Sequence, residues 1–414
     1  MDTSIRIPLN LPNTRVAKIS NMENGDWLIE VESTLSTTAC RTCSRELKEE
    51  HGRDRPIRLR HLPLFEVPVY LELRPKRYRC PFCDGNPTST QTLAWYNHRS
   101  PNTKAYEEWL LKILINSTVS DTARKLSLSK ATVTGVLERG LAKEVDWQTF
   151  ERLTVIGIDE IALKKGHRNY VALITTPTED GVKLLGVLAD RKQETVARFF
   201  CSIPLNLRGT IERVCSDMHH GFIRAVHEQL PDAKVVIDRF HVACNYRACA
   251  DSVRKRETNR LKKELSDDEY DALKGVMWSF RKRPENLEAQ ESDQLAQLFS
   301  YSPSLEVAWI LREELTDIFE RDYTKAGAKC AMRAWVKRVR ASGIQEFERF
   351  LKTLEKWFDE IANYFLEGWT SGFVEGFNNR VKVLKRRCYG IFDVKRIFQR
   401  LSLDIDGYEY LGNG

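Results

Sequence analysis

Thr154-Val155-Ile156-Gly157-Ile158-Asp159-Glu160 is an apolar run that ends in two acids. An uninterrupted apolar stretch of this length suits a strand buried on both faces. Arg168 to Thr176 and Lys183 to Ala189 read as two further strands, with a turn at Glu179-Asp180-Gly181 between them. A helix is expected from about Glu194 to Cys201. Ile211 to Asp217 reads as a strand ending in an acid, Gly221 to Leu230 as a helix, and Ala233 to Asp238 as another strand. The order is three strands, helix, strand, helix, strand.

That order is the one an RNase H-like sheet requires, and in such a sheet the first and fourth strands are neighbours. Asp159 and Asp217 are therefore expected side by side at the ends of adjacent strands. Two carboxylates held close repel each other unless a cation lies between them, and Mg²⁺ (or Mn²⁺) takes hard oxygen ligands while keeping room for phosphate. A two-ion site activates the attacking oxygen and stabilises the leaving one in phosphodiester chemistry. Other acids compete for the role. Glu160 points to the opposite face of its strand, Asp190 sits in a turn-like Asp190-Arg191-Lys192, and Asp238 ends a strand and rivals Asp217 as second ligand.

A third carboxylate is offered by Gly372-Phe373-Val374-Glu375-Gly376-Phe377-Asn378-Asn379-Arg380 and the basic run to Arg387. Val374, Phe377, Val381, Leu384 and Cys388 form one helical stripe, and Glu375, Asn379, Lys382 and Arg386 share another face. From Gly376 to Arg400 there are eight Lys or Arg against one acid, in a chain whose net charge is +7. A second basic run, Arg53, Arg55, Arg58, Arg60, Arg74, Lys76, Arg77 and Arg79, lies between Cys40 and Cys83. Two such patches suit a polyanion.

Cys40-Arg41-Thr42-Cys43 and Cys80-Pro81-Phe82-Cys83 are matched C-x2-C knuckles, the pattern of a closed tetrahedral Zn²⁺ site. His51 has no spacing that favours it as a ligand. Strands are expected at Arg58–Leu62 and Val67–Leu73. Lys104 to Ile115 has helical periodicity, and Val119 to Leu137 reads as two short helices. Ser120 and Ser129 are the expected caps, with Ala123, Leu126, Val133, Val136 and Leu137 facing inward. That is helix-turn-helix architecture with Lys130, Thr132 and Thr134 free to face a groove.

Over nearly its whole length the chain resembles the DDE transposases of bacterial insertion sequences, most closely the ISL-three family. The resemblance rests on Arg77-Tyr78-Arg79-Cys80-Pro81, Gly157-Ile158-Asp159-Glu160, Ser216-Asp217-Met218, Val374-Glu375-Gly376-Phe377-Asn378-Asn379 and Tyr389-Gly390. It implies Asp159, Asp217 and Glu375 as catalytic, Mg²⁺-holding residues. Asp238-Arg239-Phe240-His241 resembles the family's C/D-x-x-H signature, which implies active-site support from Asp238 and His241, with Asn379 beside Glu375. Lys130, Thr132, Arg380, Lys382, Lys385, Arg386 and Arg387 are the expected DNA contacts. The implied activity is binding of terminal inverted repeats, Mg²⁺-dependent cleavage, and strand transfer to target DNA by a homodimer or larger homo-oligomer. A catalytically inactive DNA-binding regulator is the alternative, and a structure-specific nuclease a third reading.

The fold class is thus multidomain α+β. Residues 1–98 form a zinc-binding domain, 99–149 a helix-turn-helix, 150–244 the first part of an RNase H-like core, 245–365 an all-helical insertion, and 366–414 the last catalytic helix with a basic C-terminal region. The insertion carries Trp278, Trp309, Trp335 and Trp357 and is expected to clamp DNA or join subunits. No signal peptide or membrane span is expected. The ten cysteines do not form a secreted disulfide pattern, so Cys201, Cys215, Cys244 and Cys388 are expected as buried or half-buried thiols in a cytoplasmic, nucleoid-associated protein.

Overall fold

The computed structural model describes residues 8–162, 170–273, 275–366, 372–387 and 391–412, without the side chains of 277, 372–375, 377, 378 and 385. The chain divides into two compact units: 1–142 with 402–414, and 143–401. The sequence-based division placed 402–414 with the core and the boundary at 149/150. The C-terminal residues join the first unit because Leu403 is buried in its helical core.

In the first unit, Thr14–Asn21, Trp27–Ser33, Val67–Leu73 and Ile57–Leu64 make a four-stranded sheet in that order. Alternating residues supply its core: Ile29, Val31, Leu59, Val69, Leu71 and Leu73, closed by Leu93 and Trp95. The strands between the knuckles thus have a core independent of the cysteines. Around the cysteines lie only short strands, Thr38–Ala39 with Glu46–Leu47 and Glu50–Arg53 with Lys76–Arg79 and Thr88–Thr90.

Three helices follow: α1 (Lys104–Leu114), α2 (Val119–Lys125) and α3 (Lys130–Gly140). Tyr106, Leu110, Leu111, Leu114, Ala123, Val133, Val136 and Leu137 are buried together, and Leu126 is partly buried against them. Ser129 caps α3 by accepting from the Thr132 N–H, as expected. Ser120 does not cap α2. Thr118 does, with its hydroxyl accepting from the Asp121 N–H, because α2 begins one residue before Ser120.

Glu107 of α1 is buried and ties this unit together. It accepts from Ser100 Oγ at 2.7 Å and from Arg139 Nη2 of α3 at 2.6 Å. Glu107→Ala leaves Arg139 and Ser100 without that acceptor, at a cost of about 2–3 kcal/mol. The expected result is amide hydrogen exchange in α1 and α3 faster by roughly 30-fold or more. Unchanged exchange there would show the pair to be energetically idle.

The second unit is built on a five-stranded sheet: β1 (Val155–Ala162), β2 (Tyr170–Thr178), β3 (Gly181–Leu188), β4 (Arg213–Ser216) and β5 (Lys234–Ile237), in the order β3-β2-β1-β4-β5. The first three are antiparallel, while β4 runs parallel to β1 and β5 parallel to β4. Helices α4 (Gln193–Ser202) and α5 (His220–Gln229) bury Val196, Phe200, Phe222, Ile223 and Val226 in the main core. Gly186 of β3 is required for this packing, since a Cβ there would lie 2.6 Å from the Phe199 ring of α4.

A 26-residue helix, α6 (Arg239–Glu264), leads from β5 into the helical part, and every described element from there to 365 is helical. Trp335 is its largest fully buried side chain, whereas Trp278 is 69% exposed beneath the Arg281 guanidinium. The same hydrophobic core runs on from the sheet into these helices. Buried Asn363 donates to the Val235 carbonyl at 2.7 Å, fastening the end of the helical part to β5. Two thiol expectations fail: Cys201 and Cys244 are exposed, because each lies on the side of its helix turned away from the core residues Val196 and Phe200 or Val242, Ala243 and Tyr246. Cys215 is buried in β4, and Cys388 lies outside the described residues.

Charge also braces the helical part. Burial alone would raise the Asp251 carboxyl, but hydrogen bonds from Arg254, Arg281 and Lys255 outweigh it and hold the group well below the usual carboxylate range. Hydrogen bonds from Lys325 and Lys329 likewise lower Asp359. A carboxyl depressed in the folded state adds stability above its unfolded pKa of about 4 and loses it as pH falls through the folded value. Urea unfolding followed from pH 7 to pH 2 is therefore expected to show falling stability below about pH 4. Asp251→Asn should flatten that fall, and an identical pH profile for the variant would overturn the assignment.

Candidate active site and metal centre

The parallel register decides the central geometry. Ile158 of β1 pairs with Ser216 of β4, so Asp159 and Asp217 are each the next residue beyond that pairing. Asp217 follows the end of β4, whereas β1 does not end at its acids as expected but runs on to Ala162, paired with β2. Asp159 is only 9% exposed, and its Oδ1 accepts from the Glu160 N–H at 2.7 Å. Asp217 Oδ1 accepts from the His219 N–H at 3.0 Å. Burial pushes the Asp217 carboxyl up to about 6. The His219 N–H and the charge of His241 oppose that rise, while Asp159 and Glu160 reinforce it. A carboxyl that resists ionisation beside a second carboxylate is one that a cation would relieve.

Asp238 occupies a different place. Its N–H donates to the Ser216 carbonyl at 2.9 Å, and its Oδ1 accepts from the Phe240 N–H at 2.8 Å. It is thus the N-cap of α6, and the first turn of that helix carries His241 to where its charge is felt by Asp217. Glu160 forms an ion pair with Arg191 at 2.7 Å. The Arg191 guanidinium also lies over the Tyr170 ring, 4.4 Å from its centroid. Arg191, Tyr170 and His219 had no signal in the sequence beyond a turn and a His pair. Among the described residues, buried Ser216 Oγ and His219 Nδ1 have no hydrogen-bond partner, as befits polar groups at a site that takes a ligand.

Helix α7 (Gly372–Arg387) lies against β1 and buries Val381 and Leu384 of the expected stripe; Cys388 and the side chains of Val374 and Phe377 lie outside the described residues. Asn379, Arg380, Lys382 and Arg386 are exposed, and Arg387 is half-buried. Glu375 falls in the first turn of this helix, but its side chain, like that of Lys385, lies outside the described residues.

The four knuckle cysteines form a second centre. Their Sγ atoms all lie within 4.8 Å of one another, and Cys43 Sγ is 3.7 Å from Cys80 Sγ. Backbone N–H groups of Cys43 and Thr42 draw the Cys40 thiol down to about 6. Hydrogen bonding to Cys43 and burial push Cys83 up to about 12. Four sulfurs this close ionise together only around a cation, and the set fits tetrahedral Zn²⁺. His51 is exposed and hydrogen-bonded to Arg79, not directed into the cluster.

The basic run between the knuckles is largely engaged within the protein. Arg53 pairs with Glu32, Arg58 with Glu72, Arg60 donates to the Leu126 carbonyl, and Lys76 to the Leu35 carbonyl. On α3, Lys130 is exposed, while the half-buried Thr132 shares its hydroxyl with Ser129 at 2.8 Å.

Residues 156–401 match the family model described as transposase, of the ISL3 group. The chain belongs to the ISL3 transposase family. Residues 36–83 match the zinc finger of the transposases of IS204, IS1001, IS1096 and IS1165, which spans both knuckles. The chain is 28% identical to the transposase for insertion sequence element IS1001 of Bordetella parapertussis, over 92% of its own length and 91% of that protein. It is 24% identical to the transposase for insertion sequence element IS1557 of Mycobacterium tuberculosis, over 89% and 86%. The transposase assignment covers both centres: the acid pair lies within the transposase match and the four cysteines within the zinc-finger match. No described helix is long and apolar enough to cross a membrane.

Proposed function

We propose that this transposase binds the terminal inverted repeats of its insertion sequence, cuts the DNA there and joins the freed ends to a target. The observation that carries the reading is the β1–β4 register, which puts Asp159 and Asp217 side by side, each one residue beyond the last β1–β4 pair, inside the family match. The sheet order and its mix of antiparallel and parallel strands support an RNase H-like core. Asp159, Asp217 and Glu375 hold Mg²⁺ (or Mn²⁺), which when bound supplies charge neutralisation and activation for in-line phosphoryl transfer.

The chain's own groups do the rest. Asp238 positions His241 by capping α6, and His241 balances the charge of Asp217. Asn379, Arg380, Lys382, Lys385, Arg386 and Arg387 hold the backbone of the strand being cut. Water attacks the phosphorus at the element end, breaking one P–O bond and freeing a 3′-hydroxyl. That hydroxyl then attacks a target phosphodiester, so one P–O bond forms as another breaks. The α1–α3 unit acts as a helix-turn-helix, with Lys130 and Thr132 of α3 at the major groove. The four-cysteine zinc module supports it, and a homo-oligomer on DNA brings two ends together within the nucleoid.

The test uses the full chain, Mg²⁺, a duplex carrying the inverted repeats that flank the gene, and a target plasmid. Joined products are expected. Cutting without joining would mark a nuclease, and binding without cutting a regulator.

A further inference from the structure

Phe240 is out of place for a core residue. The α6 side chains that hold the helix to the unit are Val242, Ala243, Tyr246 and those that follow inward, and Phe240 takes no part in that core. Its ring is 49% exposed. Yet its position is fixed: the Phe240 N–H donates to the capping Asp238, and the ring packs edge-on against His241, with centroids 5.6 Å apart and planes at 82°. His241 is the residue whose charge acts on Asp217. Among the described residues, charged or polar groups that act around the acid pair are Glu160, Arg191, His219 and His241. The neighbouring Arg239 is already paired with Glu320 at 2.8 Å, so this edge of the site presents an aromatic face and not a free cation.

An anchored, exposed ring packed on the histidine that acts on Asp217 suits the one apolar surface a DNA strand offers, the face of an unpaired base. We propose that Phe240 stacks on the nucleobase next to the phosphodiester being cut and so sets the strand's position over Asp159 and Asp217. This rests on the transposition reading above. Stacking accepts any base, so Phe240 contributes placement and not sequence choice.

The test is a cycle between protein and DNA, with the full chain and inverted-repeat duplexes carrying an abasic nucleotide on either side of the cleaved bond. Phe240→Ala is expected to slow single-turnover cleavage of intact DNA about tenfold, the loss typical of one base–aromatic stack. One abasic position should slow the wild-type protein by a similar factor and the variant by no more. Phe240→Trp should restore the rate on intact DNA, which a merely packing role would not require. Additive losses at both abasic positions, or an unaltered rate for Phe240→Ala, would overturn the proposal. A wild-type chain that neither binds nor cuts these duplexes would instead overturn the transposition reading, and this inference with it.

Discussion

Asp159→Asn is expected to abolish Mg²⁺-dependent cleavage of inverted-repeat DNA while leaving end binding intact. Asp159 is nearly buried within β1, one residue beyond the last pair with β4, and its Oδ1 is oriented by the Glu160 N–H. The amide keeps the size of the carboxylate and much of its hydrogen bonding but removes the charge that a divalent ion needs. A fall of about a thousandfold or more, equivalent to about 4 kcal/mol, is the scale set by losing that electrostatic stabilisation. Asp217→Asn should do the same, and the double variant should be little worse than either, since the two act as one unit. Asp238→Asn is the informative contrast. Its oxygen can still accept from the Phe240 N–H and cap α6, so a much smaller loss is expected. Full activity in Asp159→Asn or Asp217→Asn, with none in Asp238→Asn, would move the site to the other strand end.

Removing one zinc thiolate should have a comparably large effect, on folding. Cys80→Ser breaks a set whose four sulfurs lie within 4.8 Å, and the short strands around it have little core besides Leu47 and Tyr78. Structural zinc contributes on the order of 10–16 kcal/mol in small zinc-finger peptides. Zinc content measured by native mass spectrometry is expected to fall from one ion per chain to none. Amide exchange should become fast in Glu46–Arg53 and Lys76–Thr90. Val67–Leu73 should stay protected, because its sheet has the separate core of Ile29, Leu59, Val69 and Leu71. Retained zinc in the variant would rule out the four-sulfur site. Loss of protection throughout the four-stranded sheet would show the two cores to be one.

Much of this organisation was legible in the chain itself, because it depends on short-range pattern. The apolar run ending at Asp159, the knuckle spacing and the periodicity of Val133, Val136 and Leu137 each state a local preference that tertiary packing then keeps. Cap and surface details were less legible. Thr118 and Ser120 are equally good caps, and only the actual start of α2 chooses between them. The basic run of Arg53 to Arg79 reads as a binding surface, but the acids that pair with Arg53 and Arg58 are remote in sequence. Arg53 meets Glu32 only because distant segments are brought together by folding.

What the sequence determined alone was the order of the core elements, the zinc knuckles and the expectation that Asp159 and Asp217 lie side by side, since apolar runs and matched thiols follow from composition and spacing. What only the tertiary structure decided was how each acid is held. Asp238 ends a strand just as Asp217 does. It becomes a helix cap because α6 begins directly after it, and because its N–H is held by Ser216 of the neighbouring strand. The same folding leaves Phe240 exposed against His241 and sets Arg191 on Glu160, contacts between residues that no periodicity links.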